Sequence, residues 1–101
     1  MKIALLILAF NEEKFIENVI KKYIDIFNEV IVVNDFSIDN TRLIVDGLKE
    51  SNNNLTLISN DKNMGAGKSL EIGINYFLKS NNEYLIKIDG DDQFSKEDIL
   101  F

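Results

Sequence analysis

Four short apolar runs divide this chain of 101 residues, and none of them alternates regularly between apolar and polar side chains. A strand with one face in water alternates, whereas a strand covered on both faces is apolar throughout. The runs therefore predict the buried strands of a parallel sheet. They are Ile3–Ala9, Val30–Val33, Leu55–Ile58 and Tyr84–Ile88.

The stretches between these runs carry apolar residues at three- and four-residue spacing, the period of a helix with one buried face. They cover about Glu12–Phe27, Asp39–Glu50 and Lys68–Lys79. Asn11 and Ser37 precede two of them and are residue types that cap helices. We therefore predict a β-α-β-α-β-α-β order, right-handed crossovers and a three-layer, Rossmann-like α/β fold with a mainly parallel sheet.

The loops that follow parallel strands lie along one edge of the sheet, where α/β proteins bind ligands. Here those loops are rich in Asn, Asp, Ser and Gly, and the last contains Asp89-Gly90-Asp91-Asp92-Gln93. Crowded carboxylates repel one another and raise each other's pKa, and a hard divalent cation with oxygen ligands relieves that repulsion. The segment predicts an Mg²⁺ or Mn²⁺ site, with an acidic surface turn as the alternative.

The composition excludes several classes of site. Acidic residues number 17 against 11 basic ones, for a net charge of −6, which argues against a nucleic-acid or anionic-membrane surface. The chain has no Cys and no His, so it offers neither a thiolate nor an imidazole. Any acid–base chemistry therefore depends on Asp, Glu, Lys or Tyr.

The apolar N-terminal run leads directly into Asn11-Glu12-Glu13-Lys14 without a small-residue cleavage pattern, so we expect a strand rather than a signal peptide. No apolar run approaches transmembrane length, and we expect a soluble, cytoplasmic chain. The sequence stops soon after a fourth strand, where Ser95–Asp98 could begin another helix. We therefore expect residues 1–101 to be half of a longer domain, with an exposed sheet edge that favours a homodimer.

Two loops offer candidate contacts to a nucleotide. Asp35 follows the second strand, where its carboxylate could accept a hydrogen bond from a base N–H or a ribose hydroxyl, whereas helix capping is the favoured interpretation of Ser37 and Asp39. Gly67-Lys68-Ser69 invites a phosphate-loop interpretation, but Lys62 occupies the position where the Walker pattern needs Gly. A phosphate-loop NTPase, with Asp89 as its Walker-B carboxylate, is kept as an alternative.

Four segments carry recognisable motifs in order: Leu-Ala-Phe-Asn-Glu-Glu at 8–13, Val-Val-Asn-Asp-Phe-Ser-Ile-Asp-Asn-Thr at 32–41, Asn-Met-Gly-Ala-Gly at 63–67 and Asp-Gly-Asp at 89–91. They resemble the Pro-x-Tyr-Asn-Glu, Val-Val-Asp-Asp-Gly-Ser-Thr-Asp-Gly-Thr, Asn-x-Gly-x-Gly and Asp-x-Asp motifs of family 2 glycosyltransferases with the GT-A fold. The resemblance spans essentially the whole chain. Gln93 is similar to the corresponding residue of the polyprenyl-phosphate sugar synthase branch.

This resemblance implies a site for the nucleotide of a UDP- or GDP-linked sugar. Leu8, Phe10 and Glu12 would line the nucleotide pocket, while Val33 and Asp35 would hold the base, with Asp35 accepting its ring N–H. The resemblance therefore implies a hexosyltransferase activity in the full-length protein.

The resemblance also implies a metal site after the fourth strand. Asp89 and Gly90 would meet the ribose and phosphates, and Asp91 would ligate Mg²⁺ or Mn²⁺ together with Asp89 and Gln93. The metal would neutralise the diphosphate as it leaves, which needs no proton donor.

Family members invert the sugar's configuration with a carboxylate base from their second half, so the base is expected beyond Phe101 and the acceptor, a glycan or a polyprenyl phosphate, is not identified. A lipid-linked acceptor would place the full-length protein at the inner face of the membrane. Leu8, Phe10, Asn34 and Phe36 replace the usual Pro, Tyr, Asp and Gly. A relative that folds without catalysing, or a non-catalytic α/β binding module, is therefore a further alternative.

Overall fold

The structure is a computed structural model that describes residues 1–91 and 99–100. Its strands are β1 (Ile3–Ala9), β2 (Glu29–Asn34), β3 (Leu55–Ser59), β4 (Tyr84–Asp89) and β5 (Ile99–Leu100). Its helices are α1 (Ile16–Tyr23), α2 (Thr41–Lys49) and α3 (Ala66–Leu78). The predicted alternation of four strands and three helices, in a mainly parallel α/β sheet, is confirmed.

The sheet has the strand order β3-β2-β1-β4-β5. Strands β1 to β4 pair in parallel, with Leu8 opposite both Val33 and Asp89, while β5 pairs antiparallel with β4. The chain moves outward from β1 through β2 to β3 and then returns to place β4 on the other side of β1. Such a reversal opens a crevice at the carboxyl ends of the central strands.

Helices cover both faces of the sheet, which explains why the strands are apolar throughout. One core cluster joins strand residues such as Ile7 and Val32 to Ile20 of α1 and Val45 of α2. The other cluster joins the opposite side chains of the same strands to Phe77 of α3. The sheet thus lies between two helical layers, with β3 at one edge.

The structure differs from the predictions at the helix ends. The first helix begins at Ile16 rather than near Glu12, because the carbonyl of Glu12 accepts hydrogen bonds from the N–H groups of Phe15 and Ile16 in a turn. Asn11 and Ser37 do not cap helices, so that prediction is wrong. The antiparallel strand β5 was not predicted, and the predicted helix start at Ser95–Asp98 lies outside the described residues.

Candidate functional site

A cavity of about 370 Å³ opens at the carboxyl ends of β1, β2 and β4, beside the first turn of α3. This is the crevice that the strand order creates. The residues lining it come from every loop of that edge: Leu8, Ala9, Phe10, Glu12, Asp35, Asn63, Gly65, Ala66, Ser69, Asp89 and Asp91.

The cavity brings together six of the predicted site residues, namely Leu8, Phe10, Glu12, Asp35, Asp89 and Asp91. Val33 does not line it, because its side chain is fully buried in the core cluster that packs against α3. Gly90 is buried beneath the cavity residues, and its N–H donates to the carbonyl of Leu8 at 2.9 Å. Gln93 lies outside the described residues.

Asp35 is held by three hydrogen bonds. Its Oδ1 accepts from the N–H of Met64 at 2.7 Å and from the side-chain amide of Asn60 at 3.0 Å, and its Oδ2 accepts from the N–H of Gly65 at 2.9 Å. Burial alone would raise the pKa of Asp35, but these bonds outweigh it and lower the pKa below its usual value. Asp35 is therefore a fixed, ionised acceptor at the cavity wall.

Asn60 is a site residue that the sequence reasoning missed, and it contacts Ser69, which that reasoning had placed only in the phosphate-loop alternative. The Asn60 amide also donates to Oγ of Ser69 at 3.1 Å, so it joins the end of β2 to the first turn of α3. The available signal was a polar residue directly after an apolar strand, which is where binding residues occur in α/β sheets.

The loops after β1 and β2 are locked together by reciprocal hydrogen bonds. The N–H of Asn11 donates to Oγ of Ser37 at 3.0 Å, and Oδ1 of Asn11 accepts from the N–H of Ile38 at 2.9 Å. The N–H of Glu12 donates to Oγ1 of Thr41 at 2.9 Å. Ser37 and Asn11 thus connect loops rather than capping helices, and this lock positions Glu12 at the cavity.

Asp39 reinforces the same lock. Its carboxylate accepts from the N–H of Thr41 at 2.9 Å, within its own loop, and from the N–H of Glu13 at 3.2 Å, across to the other loop. Burial alone would raise its pKa, but the Thr41 hydroxyl, with these N–H groups, lowers the pKa of Asp39. Asp39 therefore supports the start of α2 and the neighbouring loop together.

Phe36 adopts a left-handed backbone conformation, with φ of +54°. That region is costly for residues with a Cβ atom and is readily occupied by glycine. The family motif Val-Val-Asp-Asp-Gly-Ser has Gly at the position of Phe36, and this left-handed turn explains that preference. Phe36 is 46% exposed and does not line the cavity.

Besides Asp35, three carboxylate side chains line the cavity, those of Glu12, Asp89 and Asp91. Burial raises the pKa of Glu12, and the negative charges of Asp91, Asp89 and Asp39 raise it further. Glu12 also packs tightly on Gly90, since a Cβ atom there would lie 2.6 Å from Cγ of Glu12. The cavity therefore concentrates negative charge where a ligand would enter.

A divalent cation fits the chemistry of this donor set only in part. Carboxylate oxygens are the ligands that Mg²⁺ and Mn²⁺ prefer. Within residues 1–91 and 99–100, however, no three acidic side chains are arranged to hold a metal. Asp89 in addition lies 3.7 Å from the ammonium of Lys87. Phosphate oxygens would have to complete any coordination shell formed here.

The structure does not support the phosphate-loop alternative. Lys68 is exposed and pairs with Glu71 at 3.4 Å, and it does not line the cavity. Oγ of Ser69 accepts a hydrogen bond from the amide of Asn60. The N–H groups of Met64 and Gly65 point to Asp35 rather than to a phosphate.

The sequence profile described as "Glycosyl transferase family 2" matches residues 4–100. The chain belongs to glycosyltransferase family 2. Among family relatives, an uncharacterized glycosyltransferase of Mycoplasma genitalium is 34% identical over 98% of this chain and 35% of its own length. An uncharacterized protein of Methanocaldococcus jannaschii is 43% identical over 90% of this chain and 41% of its own length. The chain thus spans about two fifths or less of these relatives.

Solved structures agree with this family assignment. Residues 1–349 of S. aureus TarS superpose with a TM-score of 0.76 at 28% identity, covering 96% of this chain and 29% of that one. The same protein in complex with UDP gives 0.76 at 26% identity, over 90% and 28%. A mannosyltransferase of Pyrobaculum calidifontis, in complex with GDP-Man and Mn²⁺, gives 0.75 at 23% identity over 89% and 27%, which supports the fold.

No helix among the described residues is long and apolar enough to cross a membrane.

Proposed function

We propose that this chain forms the donor half of a metal-dependent, inverting hexosyltransferase that uses a UDP- or GDP-linked sugar. The observation that carries the proposal is a single cavity that combines a fixed acceptor, Asp35, with the carboxylates Asp89 and Asp91. The family assignment and the UDP complex of TarS support it.

The base end of the nucleotide would lie against Asp35. An ionised carboxylate accepts a hydrogen bond from the ring N–H of uracil or guanine, and Phe10, which lines the cavity and is 46% exposed, offers an aromatic face for stacking. Leu8 provides an apolar wall. Val33 would support the base only indirectly, by packing beneath the strand end.

The diphosphate end would lie at Asp89, Gly90 and Asp91. These two carboxylates, with Gln93, would hold Mg²⁺ or Mn²⁺, which neutralises the diphosphate when the glycosidic bond breaks. Glu12 adds negative charge beside them. The chain's own residues thus bind and orient the donor rather than move a proton.

In the transfer, an acceptor oxygen attacks the anomeric carbon from the side opposite the diphosphate. The bond to the phosphate oxygen breaks, the diphosphate leaves with the electron pair, and a hydroxyl acceptor gives its proton to a base. That base is proposed to lie beyond Phe101, in a segment that the longer relatives carry. The chain alone is therefore expected to bind nucleotide weakly and to transfer no sugar.

The finer assignments are part of the same proposal. A glycan or a polyprenyl phosphate would be the acceptor, and the branch of polyprenyl-phosphate sugar synthases is suggested by Gln93 alone. A lipid acceptor would bring the cytoplasmic protein to the inner membrane face. The edge strand β3 would offer the surface for a homodimer.

Calorimetric titration of UDP, GDP and ATP, first with Mn²⁺ and then with EDTA, tests the proposal. We expect UDP or GDP to bind only with the metal and Asp35→Ala to abolish that binding. The matched control is Lys68→Ala, which removes an exposed charge next to the cavity and should leave affinity unchanged. Binding of ATP alone, lost in Lys68→Ala, would contradict the proposal.

A further inference from the structure

Asn60 occupies the junction between three elements at the cavity. Its N–H donates to the carbonyl of Asn34 at 2.9 Å, which ties it to the end of β2. Its side-chain amide has two hydrogens, and it donates to Oδ1 of Asp35 at 3.0 Å and to Oγ of Ser69 at 3.1 Å. Asn60 is 9% exposed and Ser69 only 1%, so these bonds are shielded from water.

The carboxylate of Asp35 has about four acceptor positions, two on each oxygen. Met64 and Asn60 occupy both positions of Oδ1, and Gly65 occupies one position of Oδ2. One acceptor position therefore remains, and it belongs to Oδ2. Without the amide of Asn60, Oδ1 would also have an open acceptor position, so the carboxylate would offer one on each oxygen.

We propose that Asn60 is a positioning residue that closes the second acceptor position of Asp35 Oδ1, so that a nucleobase N–H meets Oδ2 alone. The proposal rests on the proposed function, because it concerns the carboxylate assigned there to the base. It adds a residue that never touches the nucleotide.

The same amide favours the ionised form of Asp35. Burial opposes ionisation, and the Asn60 amide is one of the three donors that lower the pKa of Asp35. Among the residues lining the cavity, the other titratable groups are Glu12 from the loop after β1 and Asp89 and Asp91 from the end of β4. The two α3 residues that line it, Ala66 and Ser69, do not titrate.

Two variants of Asn60 separate this role from simple packing. Asn60→Asp keeps the shape but places a carboxyl group against Asp35, and Asn60→Ala removes the donor. The matched control is Asn54→Ala, because the Asn54 amide also joins two groups, the carbonyls of Ile24 at 2.9 Å and Phe27 at 3.3 Å, away from the cavity. Urea unfolding of all three variants measures how much each substitution lowers the free energy of unfolding.

The first readout needs no ligand: the pKa of Asp35 is measured by NMR of its carboxyl carbon. We expect it to rise in Asn60→Ala, which loses a donor to the carboxylate, and we expect the two neighbouring carboxyl groups of Asn60→Asp to titrate in two separated steps. The control should not change it. An unchanged Asp35 pKa in both Asn60 variants would overturn the proposal, whatever their stability.

The second readout compares UDP with N3-methyl-UDP, which has the same diphosphate but no ring N–H. The wild-type chain with Mn²⁺ should prefer UDP by roughly tenfold to a hundredfold. In the Asn60 variants the pH at which this preference is lost should rise in step with the Asp35 pKa. A preference profile that does not move would contradict the positioning role.

The two proposals fail separately. Equal binding of UDP and its N3-methyl analogue by the wild type, or no binding of either, would contradict the proposed function while the NMR titration still decides the role of Asn60. If the wild type clearly prefers UDP but the Asp35 pKa is unchanged in the Asn60 variants, the proposed function stands and the positioning role of Asn60 is refuted.

Discussion

Both ends of the parallel sheet carry acidic side chains, but the surroundings of these side chains differ. At the amino end, Glu29 is enclosed by donors: its Oε2 accepts from Tyr76 at 2.7 Å and Thr56 at 2.6 Å, and its Oε1 accepts from Asn82 at 2.8 Å. At the carboxyl end, Glu12 lines an open cavity with Asp89 and Asp91, whose charges raise its pKa.

The difference shows where this fold tolerates electrostatic repulsion. A carboxylate that accepts several hydrogen bonds stabilises the structure, whereas clustered carboxylates at a cavity leave a charge that a cationic ligand can relieve. Asp35 lies between these cases, since it accepts three hydrogen bonds as Glu29 does but lines the cavity. Function is therefore expected at the carboxyl end and stability at the amino end.

The largest effect should follow Asp91→Asn. Removing this charge from the carboxyl end should weaken Mn²⁺-dependent UDP binding by at least about 10- to 100-fold, because mutation even of residues that only support a metal ligand costs that much. Calorimetry with Mn²⁺ measures it. An affinity within a factor of two of the wild type would break the assignment of this end to the diphosphate.

Glu29→Gln should disturb the amino end alone. The substitution removes the charge that three donors face, so the free energy of unfolding should fall by about 2 kcal/mol, measured in urea. UDP affinity should stay at the wild-type value. A loss of affinity at constant folded fraction would show that the two ends are not independent.

Gly73→Ala tests the packing of α3 on the sheet, between its two ends. Gly73 in α3 faces Leu6 of β1, and an added Cβ would lie 2.6 Å from its methyl groups, so overpacking should cost about 1–3 kcal/mol. The matched control is Gly47→Ala in α2, where a Cβ meets nothing within 4 Å. That change should stabilise by about 0.5–1 kcal/mol, and thermal unfolding of both variants should give opposite signs.

Glu12→Gln should give the smallest effect, with a sign that depends on pH. Because the folded state raises the pKa of Glu12, ionised Glu12 opposes folding at neutral pH, and the neutral Gln should stabilise by roughly 0.5 kcal/mol there. The gain should vanish below the unfolded pKa of about 4.5, where Glu12 is protonated in both states. Urea unfolding at pH 7 and pH 4 measures it, and an equal gain at both values would contradict the electrostatic cause.

Most of the fold was predictable because strands buried on both faces appear in the sequence as continuous apolar runs. Continuous apolar runs such as Ile3–Ala9 gave the strands, and period and spacing gave the helices. The helix starts were less accurate, since Asn11 and Ser37 have cap-forming side chains that instead connect two loops. That choice depends on tertiary contacts, and the sequence around each residue does not contain it.

The site was predictable only where its residues follow a strand directly. Asp35 and Asp89 could be placed at the carboxyl edge from the strand pattern, and the family motifs added Phe10 and Glu12. Val33 was assigned to the base, which stays a prediction, and its side chain packs into the core. Asn60 follows β3 directly, but its role depends on contacts with β2 and α3 that the strand pattern alone does not contain.

The most direct test of the whole account is to map UDP binding by amide NMR in the presence of Mg²⁺. We expect shifts at Asp35, Met64 and Gly65 and at Asp89–Asp91, with the amides of Glu29, Tyr76 and Asn82 unmoved. Shifts concentrated at the amino end of the sheet, or no shift at either end with saturating UDP and Mg²⁺, would contradict it.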